Sequence, residues 1–283
     1  QITVSLPDRR GRKAILEVHA RNKKLAPEID LDALAKRTPG FSGADLENVL
    51  NEAAILAVRE NSDLIHMHNL DEAIDRVMMG PAKKSRKYDE KSKKLVAYHE
   101  SGHAIVGLNL ENSNIVQKVT IIPRGTAGGY NLMTPKEEKI MNTKNDLMSA
   151  ITGYMGGRVA EEVFFDDITT GASQDIKQAT ELAKAMVTKY GFSENVGLIN
   201  YNNDDDEVFI GRDLAHTRGY GEGVASKIDE EVKRIIDECY AKARQIITEN
   251  RSVLDACAKL LLEKEKISQK EFEALFETDH VVL

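Results

Sequence analysis

Apolar residues recur along most of this chain at the three- and four-residue spacing of helices with one buried face. A helix following Asp8 is expected to bury Ala14, Ile15 and Val18. A short second helix over Leu31 to Lys36 stops at Thr38-Pro39-Gly40, a strong breaker. Ser42 caps a third helix running to about Glu60, with Leu46, Val49, Leu50, Ala53, Ala54 and Ala57 at helical spacing. Asn69 and Glu72 have the spacing of a capping box for a fourth helix, which ends at Gly80-Pro81. Residues 1–80 therefore read as a small all-helical bundle.

Residues 81–94 carry Lys83, Lys84, Lys87, Lys91, Lys93 and Lys94 and read as a solvated basic linker. A second unit, residues 95–283, opens with an apolar helix over Leu95 to Leu108. Residues 115–134 then turn extended: Val119, Ile121 and Ile122 lead into Pro123-Arg124-Gly125 and Gly128-Gly129-Tyr130, the pattern of a small hairpin or edge strand. Beyond Lys144 the pattern is mainly helical, closing with two or three amphipathic helices between Ser226 and Phe276. Asp204-Asp205-Asp206-Glu207 is expected to be a surface turn. The fold class is thus mainly α, with a small β hairpin or sheet in the second unit.

Composition narrows the function. With 41% hydrophobic and 30% charged residues, the chain has the balance of a folded globular protein. A formal charge of −7 argues against nucleic acid as a partner. Cys239 and Cys257, the only cysteines, fall in late helical stretches and read as reduced thiols. No apolar run reaches the length of about 18 residues that a membrane helix needs. The opening Gln-Ile-Thr-Val-Ser-Leu-Pro lacks the basic start and long apolar stretch of a signal peptide, and reads as a strand cut from a larger protein.

The candidate chemistry lies in the helix that opens the second unit. His99-Glu100-Ser101-Gly102-His103 is H-E-x-x-H. On a helix, positions i and i+4 share a face, so both imidazoles can reach one cation, with Glu100 beside them as general base. A bound zinc ion lowers the pKa of its water to about 7, which supplies a nucleophile at neutral pH. The motif sits among apolar residues, where two histidines and a glutamate are costly to bury without partners. A catalytic zinc needs a third protein ligand. Val106 and Asn109 stand where a metzincin has Gly and His, and residues 112–136 hold no Asp, Glu or His for a thermolysin-like ligand. Asp175 is a candidate, because Ala179, Leu182, Ala183 and Met186 share its helical stripe. It reads equally as an acidic residue favoured by a helix N-terminus. Glu161 and Glu162, beside Gly156-Gly157-Arg158, are the alternatives. His66, His68, His216 and His280 show no ligand spacing.

Four segments occur in order: His99-Glu100-Ser101-Gly102-His103-Ala104, Ile121-Ile122-Pro123-Arg124-Gly125, Gly156-Gly157-Arg158-Val159-Ala160-Glu161-Glu162, and Thr169-Thr170-Gly171-Ala172-Ser173-Gln174-Asp175-Ile176. Together they resemble the FtsH family of membrane-anchored, ATP-dependent zinc metalloproteases. Thr38-Pro39-Gly40-Phe41-Ser42-Gly43-Ala44-Asp45-Leu46 resembles the helical lid of an AAA+ ATPase. The resemblance implies Asp175 as third zinc ligand, a homo-hexameric assembly, and ATP-driven degradation of misfolded or unassembled membrane proteins and some soluble ones. It implies a location at the cell membrane with this part in the cytoplasm, or an organellar equivalent. It also implies contact of His19, Gly43 and Ala44 with a bound nucleotide; His19 otherwise reads as a surface residue. ATP and Mg²⁺ belong to the longer protein, since no G-x-x-x-x-G-K-[ST] loop occurs in this chain. Gly128, Gly129 and Tyr130 are expected either to pair with an extended protein substrate as an added strand or to form a simple turn.

Overall fold

The computed structural model describes residues 4–83, 88–110, 114–139, 141–201 and 220–278. Lys84, Lys87, the acidic run 204–207, His216 and His280 lie outside these residues.

Four helices form the first cluster: α1 (Arg9–Ala20), α2 (Leu31–Lys36), α3 (Gly43–Arg59) and α4 (Met67–Met79). Asp8 caps α1, Asp30 caps α2, and Ser42 with Asp45 makes a reciprocal capping box on α3. Their apolar faces meet in one core around Leu16, Leu34, Leu46, Leu50, Leu70 and Ile74. Two expectations need correction. The buried residues of α1 are Arg12 and Leu16, while Ala14 is exposed and Val18 is 50% exposed. Arg12 can go inside because its guanidinium donates to the Ala35 and Pro7 carbonyls and pairs with Glu138, satisfaction that a hydrophobicity pattern does not register. The α4 helix begins earlier than the Asn69–Glu72 spacing suggests. His66 is its N-cap, and the Asn69 side chain accepts from the His66 amide at 2.9 Å.

A second, larger core joins α5 (Glu90–Leu108), α6 (Lys144–Phe165), α7 (Ser173–Thr188), α8 (Glu222–Glu249), α9 (Arg251–Lys264) and α10 (Gln269–Thr278). A small sheet flanks α5. Strands β1 (Ile115–Thr120), β2 (Tyr130–Thr134) and β3 (Lys266–Ser268) run antiparallel in the order β2-β1-β3. The expected hairpin is therefore two-thirds of a sheet completed by a strand far along the chain, and β2 is an edge. Both cysteines are buried and unbridged, and burial pushes the Cys257 thiol up to about 12, so it stays protonated.

The α5–α6 crossing positions the site. A Cβ at Gly102 would lie 2.4 Å from the Gly156 carbonyl oxygen, and one at Gly156 2.7 Å from that of Gly102. Only glycine at both positions lets the two backbones touch, which brings the H-E-x-x-H turn of α5 against α6.

Candidate metal centre

His99 and His103 lie one turn apart on α5, and Asp175 sits in the first turn of α7, behind a 3₁₀ turn over Thr170–Ala172. Three atoms converge: His99 Nε2 to His103 Nε2 is 3.1 Å, His99 Nε2 to Asp175 Oδ2 is 3.5 Å, and His103 Nε2 to Asp175 Oδ2 is 3.6 Å. Zinc bonds of about 2.0–2.1 Å in tetrahedral geometry put neighbouring ligand atoms about 3.3 Å apart. The triangle is thus one face of a zinc-sized tetrahedron. Among the described residues, no other group of three His, Cys, Asp or Glu converges in this way.

The remaining ring nitrogens are engaged, so each Nε2 is left to the centre. His99 Nδ1 lies 2.8 Å from Glu161 Oε1, and His103 Nδ1 lies 2.9 Å from the Gly153 carbonyl oxygen. Glu161 is 2% exposed and also accepts from the amide and hydroxyl of Thr169 at 2.8 and 3.1 Å. This ties α6 to the loop that leads into Asp175. A partner of this kind fixes ring orientation and strengthens an imidazole as a ligand. Glu162, by contrast, faces Tyr240 and Arg244. Gly157 makes the space: a Cβ there would stand 2.5 Å from His99 Nε2 and 2.6 Å from His103 Nε2.

The electrostatics suit a cation. Burial disfavours a charged His99, yet the Asp175 and Glu161 carboxylates outweigh it and hold the imidazole up to about 10. Burial likewise raises Asp175, but hydrogen bonds from His103 and His99 prevail and keep it well below the usual carboxylate range. The cluster thus holds proton charge where a metal would supply it, and uptake would release a proton.

Glu100 is 7% exposed, and burial raises its carboxyl pKa, against the opposing pull of the two histidines. Its neighbour is the start of β2. A Cβ on Gly129 would come within 2.9 Å of Glu100 Cγ and Oε1 and within 2.5 Å of the Thr120 carbonyl oxygen. Gly128 lies beside Tyr88, whose hydroxyl donates to the Gly128 carbonyl at 3.0 Å. Tyr130 is 8% exposed, and its ring lies 5.3 Å from Lys118 Nζ. Of the three, Gly129 lies against Glu100 through its backbone, while Gly128 lies against Tyr88 and Tyr130 beside Lys118. The sequence reading missed the packing reasons for Gly102, Gly156 and Gly157, and the role of Asn131, whose amide donates to Glu100.

His19, Gly43 and Ala44 lie elsewhere, on α1 and at the start of α3. His19 Nδ1 lies 3.9 Å from Glu47 Oε1, one turn beyond Gly43 and Ala44 on α3, and Gly43 faces Ile15 of α1. Ala44 is exposed.

Two helix-borne imidazoles, a carboxylate from a separate helix and a buried glutamate beside an edge strand define a helical metallopeptidase centre. Residues 86–275 match peptidase family M41, and residues 28–72 match the AAA+ lid domain. The ATP-dependent zinc metalloprotease FtsH of Acholeplasma laidlawii is 53% identical over 98% of this chain and 43% of its own length. Those of Bacillus subtilis and Thermotoga maritima are each 49% identical, over 100% and 97% of this chain and 44% and 45% of their own lengths. The chain belongs to peptidase family M41. It spans less than half the length of these curated relatives.

Proposed function

We propose that this chain is the proteolytic unit of an ATP-dependent zinc metalloprotease and cleaves peptide bonds inside protein chains. The observation that carries the reading is the 3.1, 3.5 and 3.6 Å triangle of His99, His103 and Asp175 beside buried Glu100. These three residues would hold zinc, which when bound supplies Lewis acidity toward the scissile carbonyl and activates water at neutral pH. The chain supplies the rest. Glu161 and the Gly153 carbonyl keep both Nε2 atoms turned inward. Glu100 Oε2 is held by Asn131, leaving Oε1 to take a proton from the attacking water and pass it to the leaving amine. A raised carboxyl pKa suits a group that must carry that proton between the two steps.

The edge of β2, unpaired among the described residues, gives an extended substrate a strand to join. Backbone pairing of this kind holds a substrate with little regard to its side chains, as degradation of varied proteins requires. Peptides N-methylated at alternate amides should then show a raised KM. Substitution at Gly129 is a poor test, because any side chain there displaces Glu100.

Residues 1–80 act as the AAA+ lid, with His19, Gly43 and Ala44 against a nucleotide, residues 81–94 link the units, and residues 95–283 form the peptidase. The longer protein is hexameric, uses ATP and Mg²⁺, is anchored in the membrane, and takes misfolded or unassembled proteins as substrates. Among the described residues no helix is long and apolar enough to cross a membrane.

Casein cleavage by the zinc-loaded chain, compared with Glu100→Gln, tests the central reading. The variant is expected to keep its zinc and lose turnover. A variant as active as the parent contradicts the role of Glu100.

A further inference from the structure

We infer that Asn131 is a positioning residue for the general base. The inference rests on the peptidase reading above. Asn131, on β2, donates through Nδ2 to two atoms of one residue: the Glu100 carboxylate Oε2 at 2.7 Å and the Glu100 main-chain oxygen at 3.0 Å. Both partners are acceptors, so the amide nitrogen must face them. The two contacts clasp the carboxylate to its own backbone and fix the rotamer of a side chain that would otherwise swing about three bonds. Gly129 lies on another side of the same side chain, where a Cβ would come within 2.9 Å of Glu100 Cγ and Oε1. Sheet and base are therefore one rigid unit.

The second amide atom supports a role other than stability. Among the described residues, Asn131 Oδ1 is buried without a hydrogen-bond partner. An unpaired buried acceptor is unfavourable, and a leucine of the same shape would carry none. A carboxamide at this place is accounted for by what its nitrogen does to Glu100. The adjacent Leu132 points to the opposite face of the strand and packs in the sheet as an ordinary apolar residue.

Asn131→Leu removes the clasp at constant shape. Asn131→Asp replaces the donor with an acceptor facing Glu100. For the zinc-loaded chain with a fluorogenic peptide, we expect kcat to fall about 10–100-fold in Asn131→Leu, as for other residues that orient a catalytic group, and further in Asn131→Asp. KM should stay within about twofold, because the lost interaction acts on the base and not on bound substrate. Zinc content should be unchanged, and the melting temperature should stay within about 4 °C of the parent. Parent-like kcat in both variants overturns the inference. So does loss of zinc, melting temperature and activity in step, which marks a structural role, or a raised KM at unchanged kcat, which marks substrate contact. A parent that cleaves nothing while holding zinc overturns the peptidase reading itself, and this inference with it.

Discussion

At the scale of single residues, Gly157 shows how much of the centre is made of space. Its missing side chain is where both imidazoles lie, so Gly157→Ala puts a methyl group within 2.5–2.6 Å of His99 and His103. We expect the variant to retain its helical circular dichroism and bind zinc far more weakly in a chelator competition; parent-like affinity would show that the imidazoles have room to move. Glu161→Gln removes the charge behind His99 Nδ1 and should weaken zinc binding about 10–100-fold in the same assay. H-E-x-x-H is legible in the sequence because helical spacing alone puts both imidazoles on one face. Asp175 is not legible in that way. Its stripe with Ala179 and Met186 fits a metal ligand and a helix-start carboxylate equally, and only the packing of α7 beside α5 brings its oxygen to the histidines. Glu161 is legible only as an alternative to Asp175, because its partner His99 lies 62 residues away, and Asn131 leaves no local signal, since Glu100 lies 31 residues from it.

At the scale of elements, the two helical clusters meet through charge. Asp75 of α4 pairs with Lys118 of β1 and lies 3.4 Å from Arg124, which also binds Glu72 at 2.6 Å. Lys118, Asp75 and Arg124 are each 3% exposed or less. Breaking one side of a buried pair strands the other charge, so Asp75→Asn should cost about 3–5 kcal/mol, read by chemical denaturation, whereas replacing Asp75 and Lys118 together by Leu and Met should recover most of it. A loss below about 1 kcal/mol would mean that water reaches the junction. The same buried polarity explains which elements the sequence conceals. The register of α1 is misjudged because Arg12 is inside and Val18 outside, an inversion made possible by carbonyls and a glutamate far along the chain. The β3 strand has three residues between two helices, too short for an alternation to show, and it exists because β1 offers it an edge. The α3 helix, by contrast, follows directly from its apolar spacing and its Ser42 cap.

At the scale of the whole molecule, acid should weaken the carboxylate contacts that tie the second cluster together. Glu231 accepts from Arg234, Asn195 and Ser193, and Glu271 from Lys264 and Ser268; these partners hold both carboxyls down to about 2 from an ordinary 4.5. A carboxyl lowered on folding stabilises fully above its unfolded value and loses that contribution as pH falls through its folded value. The stability gap between the metal-free parent and Glu231→Gln, present at neutral pH, should therefore close between about pH 4.5 and 2; a gap independent of pH would show that the ionised form is not what the partners bind. The chain lacks the phosphate-cradling loop, so a clean preparation should show no ATP turnover. The most direct test of the account is a crystal structure of the chain soaked in zinc, with anomalous scattering recorded at the zinc edge. The account predicts one ion bonded to His99 Nε2, His103 Nε2 and an Asp175 oxygen at about 2.0–2.2 Å, within reach of Glu100. An ion bound elsewhere, or an Asp175 carboxylate turned away from the ion, would contradict it.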